Sequence, residues 1–325
     1  MRAVKVREPG GVEQLEIVDV ADPEPQPGQI LVRVFATALN RADLLQRRGL
    51  YPPPPGDSDV LGLEWAGEVA RAGDGVDGLR TGERVFGLCG GGGYAEFLAI
   101  DARLALPIPD VLSFDAAAAI PEAFFTAQET LFGLAALERG QSVLVHAGAS
   151  GVGSAAIQLG RLRGARVFAT AGSPQKVALC KGLGAELAID HHTTDFASAI
   201  ERHAGPSAVD VVLDVVGAKY WERHLALLRP GGALLVVGLL GGARVELDLG
   251  VVLRRRLRVL GTAMRGRSLD DKIAITRRFG DELLPRFESG ELRAVIDSVL
   301  PFEEVRAAHQ RMEENLNRGK IILRL

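Results

Sequence analysis

Cysteine and long apolar segments are what this sequence has least of. Its 325 residues include two cysteines, Cys89 and Cys180, too few for a disulfide framework or a cysteine-rich zinc site. No apolar run reaches the roughly 18 residues that a membrane-spanning helix needs. Residues 1–6 are typical of a strand rather than of a signal peptide. We therefore expect a cytoplasmic protein.

An excess of charge of one sign is missing as well. The net charge is −3, which gives no electrostatic footprint for nucleic acid or for an anionic membrane. The basic cluster at residues 254–258 is local and predicts a solvated helix end, with anion binding as the alternative. The length and the hydrophobic content of 47% allow two domains, each with a core of its own.

The clearest motif lies at residues 142–153, Ser-Val-Leu-Val-His-Ala-Gly-Ala-Ser-Gly-Val-Gly. A β-branched run breaks into small residues, and an apolar pattern of helical spacing follows. Strand, tight turn and helix in this order predict a dinucleotide site with the pyrophosphate at the helix N-terminus. Gly148 and Gly153 take the first and third glycine positions of G-x-G-x-x-G, and Ser150 takes the second. The alternative is a turn that only helix packing requires.

The residues after the next strand, 165–170, bear on the choice of cofactor. Folds that prefer NAD place a carboxylate near this strand tip, on the ribose 2′-hydroxyl. Here the tip carries no Asp or Glu but offers Ser173 and Lys176, a hydroxyl and a cation that suit a 2′-phosphate. Alternatively, Ser173 caps a helix that Pro174 begins and Lys176 is solvated. Both descriptions can hold together, and we predict NADPH.

Alternating strands and helices continue after this unit. Strands are predicted at residues 186–189, 209–214, 233–238 and 258–260, and helices at 194–203 and 220–228. The strands are apolar runs, which suit a parallel sheet covered on both faces, and right-handed crossovers make it doubly wound. Gly217 and Gly238 then follow strand ends, where such sheets bind ligands, although ordinary turns also use glycine there.

The two ends of the chain differ from its centre. Residues 1–120 are β-rich, with strands predicted at 1–6, 29–34, 66–73 and 94–100. The prolines at 52–55 exclude regular structure there. Residues 321–325 form a last strand that we expect to return to the N-terminal domain.

Several separated motifs resemble the zinc-independent quinone oxidoreductases, the zeta-crystallin-like branch of the medium-chain dehydrogenase/reductase superfamily. They are Asn40-Arg41-Ala42-Asp43, residues 48–54, Ile120-Pro121-Glu122-Ala123 with Thr126-Ala127, residues 146–159 and the ending Asn317-x-Gly319-Lys320-Ile321. The resemblance implies an α/β protein whose Rossmann domain, residues 121–262, is inserted in a β-rich GroES-like catalytic domain, residues 1–120 and 263–325. It also implies a homodimer.

Two departures from the wider superfamily concern the site. Asn40 and Leu63 stand where the zinc alcohol dehydrogenases have a Cys and the His of Gly-His-Glu, and the four-cysteine lobe is absent. Six scattered histidines and two cysteines offer no three-ligand zinc site either, so we predict no metal. His191 stands where the quinone oxidoreductases usually have a Tyr over the adenosine ribose; an exposed loop is the alternative.

Without a Lewis acid to ionise an alcohol, the acceptor must already be electrophilic. We predict NADPH-dependent reduction of quinones by hydride transfer, with 2-enoyl or 2-alkenal reduction as the alternative and a nucleotide-binding structural or regulatory protein as the alternative of another class. No membrane or nucleic-acid partner is expected. The protein's part is then mainly to align the two reactants.

The resemblance also implies the site residues. Asn40 and Asp43 should line the cleft, and Tyr51 should donate a hydrogen bond to the acceptor oxygen; Tyr51 packed on the prolines is the alternative. Glu64 and Glu122 are expected to satisfy backbone groups. The predicted cofactor contacts are Thr126, Gly148, Ser150, Gly151, Val152, Gly153, Ser173, Lys176, His191, Gly217, Gly238, Leu239, Leu240 and Asn317.

Overall fold

The structure is a computed structural model that describes residues 1–325. The strands are β1 (Arg2–Val6), β2 (Leu15–Asp19), β3 (Gln29–Ala38), β4 (Glu64–Ala72), β5 (Arg84–Leu88), β6 (Phe97–Asp101), β7 (Ala105–Pro107), β8 (Ser142–Val145), β9 (Arg166–Ala171), β10 (Leu187–Asp190), β11 (Val209–Asp214), β12 (Leu228–Val236), β13 (Arg258–Gly261), β14 (Ile296–Pro301) and β15 (Lys320–Arg324).

The α-helices are α1 (Arg41–Arg47), α2 (Phe114–Ala118), α3 (Thr126–Gln128), α4 (Gly151–Arg163), α5 (Pro174–Leu183), α6 (Phe196–Ala204), α7 (Trp221–Leu227), α8 (Leu249–Arg255), α9 (Leu269–Glu282), α10 (Leu284–Glu288) and α11 (Val305–Glu313). Two π-helical segments, Pro121–Phe125 and Glu129–Leu134, flank α3. None of these helices is long and apolar enough to cross a bilayer.

The first compact unit to consider spans Thr126–Ala263. Its six strands are all parallel, in the order β10-β9-β8-β11-β12-β13. Counted within the unit this is 3-2-1-4-5-6, the order of a doubly wound dinucleotide fold with its switch point between β8 and β11. The predicted doubly wound sheet is confirmed.

One strand of this sheet starts earlier than its apolar pattern indicates. β12 begins at Leu228, which pairs with Val209 on β11, and the register shifts between Val209 and Val211. The residues that follow Leu228, Arg229, Pro230 and Gly231, are exposed, and Gly232 is buried. Proline and glycine can be accommodated at an irregular strand start, although they are unusual inside a strand. Because of these residues, the sequence pattern does not predict the first part of β12.

The other unit comprises Met1–Phe125 and Met264–Leu325. Its larger sheet has the order β14-β15-β3-β4-β5-β7, with β6 also on β3, while β1 and β2 form a separate antiparallel pair. The last strand, β15, pairs antiparallel with β3, Ile322 opposite Ala38. The C-terminal strand therefore returns to the N-terminal part of the chain, as expected. The units divide at 125/126 and 263/264; the proposed domain limits at 120/121 and 262/263 stay a prediction.

Candidate functional site

The glycine-rich turn leads directly from β8 into α4. Ser150 precedes the helix, and its hydroxyl accepts a hydrogen bond from the Gly153 N–H at 3.0 Å. A Cβ on Gly153 would lie 2.2 Å from the carbonyl oxygen of Ala147, so that only glycine fits this position. The turn thereby stays tight, and the N–H groups of the first turn of α4 have no helical carbonyl to bond. An anion placed there gains those donors and the helix dipole.

At the tip of β9, Ser173 caps α5, because its hydroxyl accepts from the Lys176 N–H at 3.2 Å. Ser173 and Lys176 are both half-buried. The capping alternative is thus present in the structure, and a capped helix start is itself an anion site. The predicted 2′-phosphate contacts of both residues stay a prediction.

The neighbouring strand brings further groups to this tip. Asp190 ends β10 opposite Ala171, and its Oδ1 accepts from the His192 N–H at 3.0 Å. The tip of β9 itself carries no carboxylate, but the adjacent tip of β10 does. The sequence pattern does not reveal this neighbour. A Cβ on Gly172 would lie 3.2 Å from Nε2 of both His191 and His192, so two exposed imidazoles stand beside the same tip. Partial burial and the neighbouring His192 lower the pKa of His191.

The remaining predicted cofactor residues of this unit follow the other strands. Gly217 comes after β11 with φ +81°, and its N–H donates to the Asp214 carboxylate at 3.0 Å. Gly238, Leu239 and Leu240 follow β12, and the two leucines are exposed. Gly148, Ser150, Gly151, Val152, Gly153, Ser173, Lys176, His191, Gly217, Gly238, Leu239 and Leu240 thus follow the carboxyl ends of parallel strands, the edge where such sheets bind ligands.

Thr126 and Asn317 complete the predicted set. Thr126 lies in α3, which packs against α4, and its buried hydroxyl has no hydrogen-bond partner. A buried unpaired hydroxyl is costly and is expected to serve a ligand or water. Asn317 belongs to the other unit, where its amide donates to the Gly319 carbonyl at 2.8 Å. Its cofactor contact stays a prediction.

A buried histidine pair, which the sequence pattern did not single out, runs beneath the turn. His146 Nδ1 lies 2.8 Å from Thr170 Oγ1, and its Nε2 lies 2.8 Å from His224 Nε2. Burial lowers the pKa of His146 well below its usual range and that of His224 to about 3. Both rings are therefore neutral, and one shares its proton with the other. This series of hydrogen bonds, from Thr170 through His146 to His224, links β8, β9 and α7. Polar groups in the core are stable only when they are hydrogen-bonded in this way.

These features fit a dinucleotide. A glycine-tight turn at a helix start, a second capped helix start and an unpaired buried hydroxyl are the donors that phosphate and ribose oxygens require.

The other unit assembles a buried polar cluster around Asn40. The Asn40 amide nitrogen donates to Glu64 Oε1 at 2.8 Å, and its oxygen accepts from Lys320 Nζ at 2.6 Å. The ammonium also lies 2.7 Å from Glu64 Oε1 and donates to the Leu39 carbonyl at 2.7 Å. The Glu64 and Lys320 side chains are 0% and 5% exposed, so the two charges neutralise each other inside the core.

Asp43 is buried rather than open to a cleft. It is 0% exposed, and its Oδ2 accepts from the Asn40 N–H at 2.7 Å and from the Tyr94 hydroxyl at 3.0 Å. Burial raises the pKa of Asp43 to about 6, against those two hydrogen bonds. Contrary to the expectation that it lines the cleft, Asp43 holds the backbone of Asn40 and the start of α1.

The donor set does not fit zinc. The Lys320 ammonium already lies among the oxygens of Leu39, Asn40 and Glu64, so a second cation there would be repelled. No group of three or more His, Cys, Asp or Glu side chains is placed to hold a metal ion. Burial raises the pKa of the nearby Cys89 thiol far above its ordinary value, so it is not a thiolate ligand.

Tyr51 is held by an arginine. The Arg265 guanidinium lies 5.4 Å from the centre of the Tyr51 ring, and Nη1 donates to the Tyr51 carbonyl at 3.2 Å. Its Nε donates to the Gly90 carbonyl at 2.6 Å. Partial burial and Glu122 raise the pKa of Tyr51, so its phenol keeps its proton. No local sequence motif marks Arg265. It reaches Tyr51 because the segment that begins at Met264 belongs to the same unit as residues 1–125.

Glu64 and Glu122 behave differently from each other. Glu64 Oε2 accepts from the Glu122 N–H at 2.9 Å, and thus satisfies a backbone group as expected. The Glu122 carboxyl itself makes no hydrogen bond, and the residue is half-buried. The expectation that Glu122 also serves the backbone is therefore wrong for this structure.

The buried ion pair makes a direct prediction about stability. Lys320→Met removes the cation and leaves the Glu64 carboxylate uncompensated, so the free energy of unfolding should fall by about 3–5 kcal/mol. The double variant with Glu64→Gln should recover most of that loss, because the uncompensated charge is then gone. Urea unfolding of the three proteins measures this.

The surface pair of Lys5 and Asp59, with side chains 37% and 71% exposed, supplies the control. Lys5→Met should change the free energy of unfolding by less than about 1 kcal/mol. Equal effects of the two lysine substitutions would contradict a structural role for the buried pair.

Comparisons with known proteins agree with this architecture. The family model described as alcohol dehydrogenase GroES-like domain matches residues 26–110, and the one described as zinc-binding dehydrogenase matches residues 151–277. The predicted GroES-like domain with an inserted dinucleotide fold is thereby confirmed. The chain is 33% identical over 328 residues to the quinone oxidoreductase of Rattus norvegicus, covering 100% of this chain and 98% of that protein.

Two solved structures are also similar. The Escherichia coli quinone oxidoreductase complexed with NADPH has a TM-score of 0.90 at 28% identity, with 100% of both chains covered. The CurK enoyl reductase has a TM-score of 0.88 at 29% identity, covering 99% of this chain and 98% of that one. The fold therefore binds a nicotinamide dinucleotide. The chain belongs to the medium-chain dehydrogenase/reductase superfamily, in its quinone oxidoreductase-like branch.

Proposed function

We propose that this protein reduces quinones with NADPH by metal-independent hydride transfer. The observation that carries the proposal is the Lys320 ammonium bonded to Asn40 and Glu64. This cluster supplies no Lewis acid, so an alcohol cannot be ionised for oxidation. An acceptor that is already electrophilic needs none. The likeness to quinone oxidoreductases supports the same acceptor class.

The chain's part in the reaction is binding and orientation. NADPH, when bound, supplies the hydride. The N–H groups of Gly151 and Val152, at the start of α4, would hold the pyrophosphate, and Ser173 with Lys176 the 2′-phosphate. Tyr51 keeps a phenolic proton and would donate a hydrogen bond to the acceptor oxygen as charge develops there. Asn40, held by Asp43 and Lys320, would line the acceptor site.

Enone reduction is the second candidate, favoured by the likeness to an enoyl reductase. It needs the same cofactor edge and the same hydrogen-bond donor, and differs in the shape of the acceptor. We also propose a dimeric, cytoplasmic protein. A closer kinship to the tumour-suppressor-induced quinone oxidoreductase rests on the shared turn at residues 147–153 and the ending Asn317-x-Gly319-Lys320-Ile321.

A panel of acceptors tests the function. The rate of NADPH oxidation should rise on adding an ortho-quinone or a para-quinone, and should rise less with a 2-alkenal. Faster turnover of the alkenal would favour the enone reductase. Tight NADPH binding without turnover of any acceptor would contradict enzymatic reduction and favour a nucleotide-binding structural or regulatory protein.

The choice of NADPH over NADH depends on the tip of β9. Lys176→Ala should weaken NADPH binding roughly ten- to a hundredfold, since a charge-assisted contact contributes about 1.5–3 kcal/mol. NADH binding should stay nearly unchanged, and the effect on NADPH should shrink at high salt because the charges are partly exposed. Dissociation constants for both cofactors, measured by fluorescence titration, check this.

Lys181→Ala, on the exposed face of the same helix, is the matched control and should leave both dissociation constants unchanged. Equal losses for NADH and NADPH in Lys176→Ala, or a wild-type preference for NADH, would contradict the assignment. In that case Ser173 caps α5 and neither residue reads the phosphate.

A further inference from the structure

Three acidic residues lie close together near Asn40, and two of them hold the surrounding structure. Asp43 is 0% exposed; its Oδ2 accepts from the Asn40 N–H and the Tyr94 hydroxyl, whereas its Oδ1 is buried without a hydrogen-bond partner. Glu64 uses one oxygen for Asn40 and Lys320 and the other for the Glu122 N–H. The Glu122 carboxyl forms no hydrogen bond and remains partly accessible. It is the one acid of the cluster whose carboxyl is both partly accessible and without a structural hydrogen bond, since the free oxygen of Asp43 is fully buried.

The charges that face Glu122 favour its neutral form. Glu64 and Asp43 repel a negative charge there, whereas Lys320 and Arg265 attract it. The ammonium of Lys320 is already paired with Glu64 at 2.7 Å. Burial, and then Glu64, raise the pKa of Glu122 to about 8. At neutral pH, Glu122 therefore carries a proton that it can donate.

Two independent features mark the same place as a ligand site. Arg265 is 5% exposed, and its Nη2 has no hydrogen-bond partner. This spare donor belongs to the guanidinium that stacks on Tyr51, and its charge acts on both Tyr51 and Glu122. Glu122 itself lies in a π-helical segment, a rare conformation that is frequent at functional sites. An oxygen that becomes negative would find a buried donor here.

We propose that Glu122 is a catalytic acid that delivers the proton of the reduction to the acceptor oxygen, beside Tyr51 and Arg265. The role rests on the proposed function. It gives Tyr51 a lesser task, which is to orient the acceptor by a hydrogen bond. Arg265 is a positioning residue, since it holds the Tyr51 backbone and ring.

The step balances with one hydride and one proton. The acceptor is reduced by the hydride from NADPH, which becomes NADP⁺, and the electron pair it displaces moves onto the acceptor oxygen. The O–H bond of Glu122 breaks, and a new O–H bond forms on that oxygen. Glu122 is left as a carboxylate and regains its proton from water. An enone would pass through its enol, and a quinone would give the hydroquinone.

Glu122→Gln removes the proton and keeps the shape of the side chain. At pH 7, kcat with NADPH and the best acceptor should fall at least about tenfold, because general acid catalysis contributes roughly 10²–10⁴. In the wild type, kcat should decline as the pH rises past about 8, and the variant should lack that decline. Glu122→Asp, which keeps the acid, should retain the decline with a lower kcat.

Two further variants separate Glu122 from its neighbours. Tyr51→Phe should slow turnover roughly three- to thirtyfold and keep the decline above pH 8, because the acid is intact. Glu201→Gln makes the same substitution at an exposed position on α6 and should alter neither kcat nor its pH dependence. Complete loss of activity in Tyr51→Phe, with Glu122→Gln active and its decline intact, would assign the proton to the phenol instead.

A stability measurement without cofactor or acceptor gives the second readout. The pKa of Glu122 is raised from 4.5 to about 8, so the native state holds this proton more tightly than the unfolded state. Its contribution is therefore present at low pH and is lost as the pH rises from about 4.5 to about 8. The melting temperature of the wild type should fall over this window relative to Glu122→Gln.

The outcomes are distinguishable. If the melting temperatures of the two proteins change with pH in the same way, Glu122 is ionised in the native state at neutral pH, which overturns the proposal. A shifted curve with unchanged kcat and an unchanged pH profile would make Glu122 a buried acid without a catalytic part, which also overturns it. A shifted curve in a wild type that reduces no acceptor would instead contradict the proposed function.

Discussion

The buried ion pair between Glu64 and Lys320 is the interaction on which the site depends. It joins β4 to β15, strands that are far apart in the chain, and both side chains are almost fully removed from water. Two isolated charges in that position would each cost several kcal/mol of desolvation. They are tolerated because every oxygen of Glu64 and all three protons of Lys320 have partners.

The same pair determines the chemistry that surrounds it. Its ammonium fills the space among the Leu39, Asn40 and Glu64 oxygens, where it would repel a second cation. Its second carboxylate oxygen anchors the backbone of Glu122, which fixes where that acid stands. Asn40 is held from both sides, by Lys320 at its amide oxygen and by Asp43 at its N–H. One structural interaction therefore positions both Asn40 and Glu122.

Much of the dinucleotide unit could be predicted because its signals are local. Apolar runs and glycine turns predict five of the six parallel strands within about two residues at each end. The start of β12 is hidden by Pro230 and two glycines, residues that are unusual inside a strand. The acceptor side could be predicted less well. Lys320 stands out in the sequence only as part of a motif, and Arg265 has no sequence signal, because each acts through a partner more than 200 residues away. The sequence does not reveal that Asp190 lies beside the tip of β9, because this depends on which strands are neighbours in the sheet.

The direct test of the account is the metal content of active protein. After prolonged EDTA treatment, elemental analysis and the NADPH-dependent reduction of a quinone should be measured on the same sample. Full activity is expected with far less than one zinc ion per chain, because the Lys320 ammonium lies among the Leu39, Asn40 and Glu64 oxygens and would repel a metal cation there. One tightly bound zinc ion per chain, with activity lost on its removal and restored on its return, would contradict it.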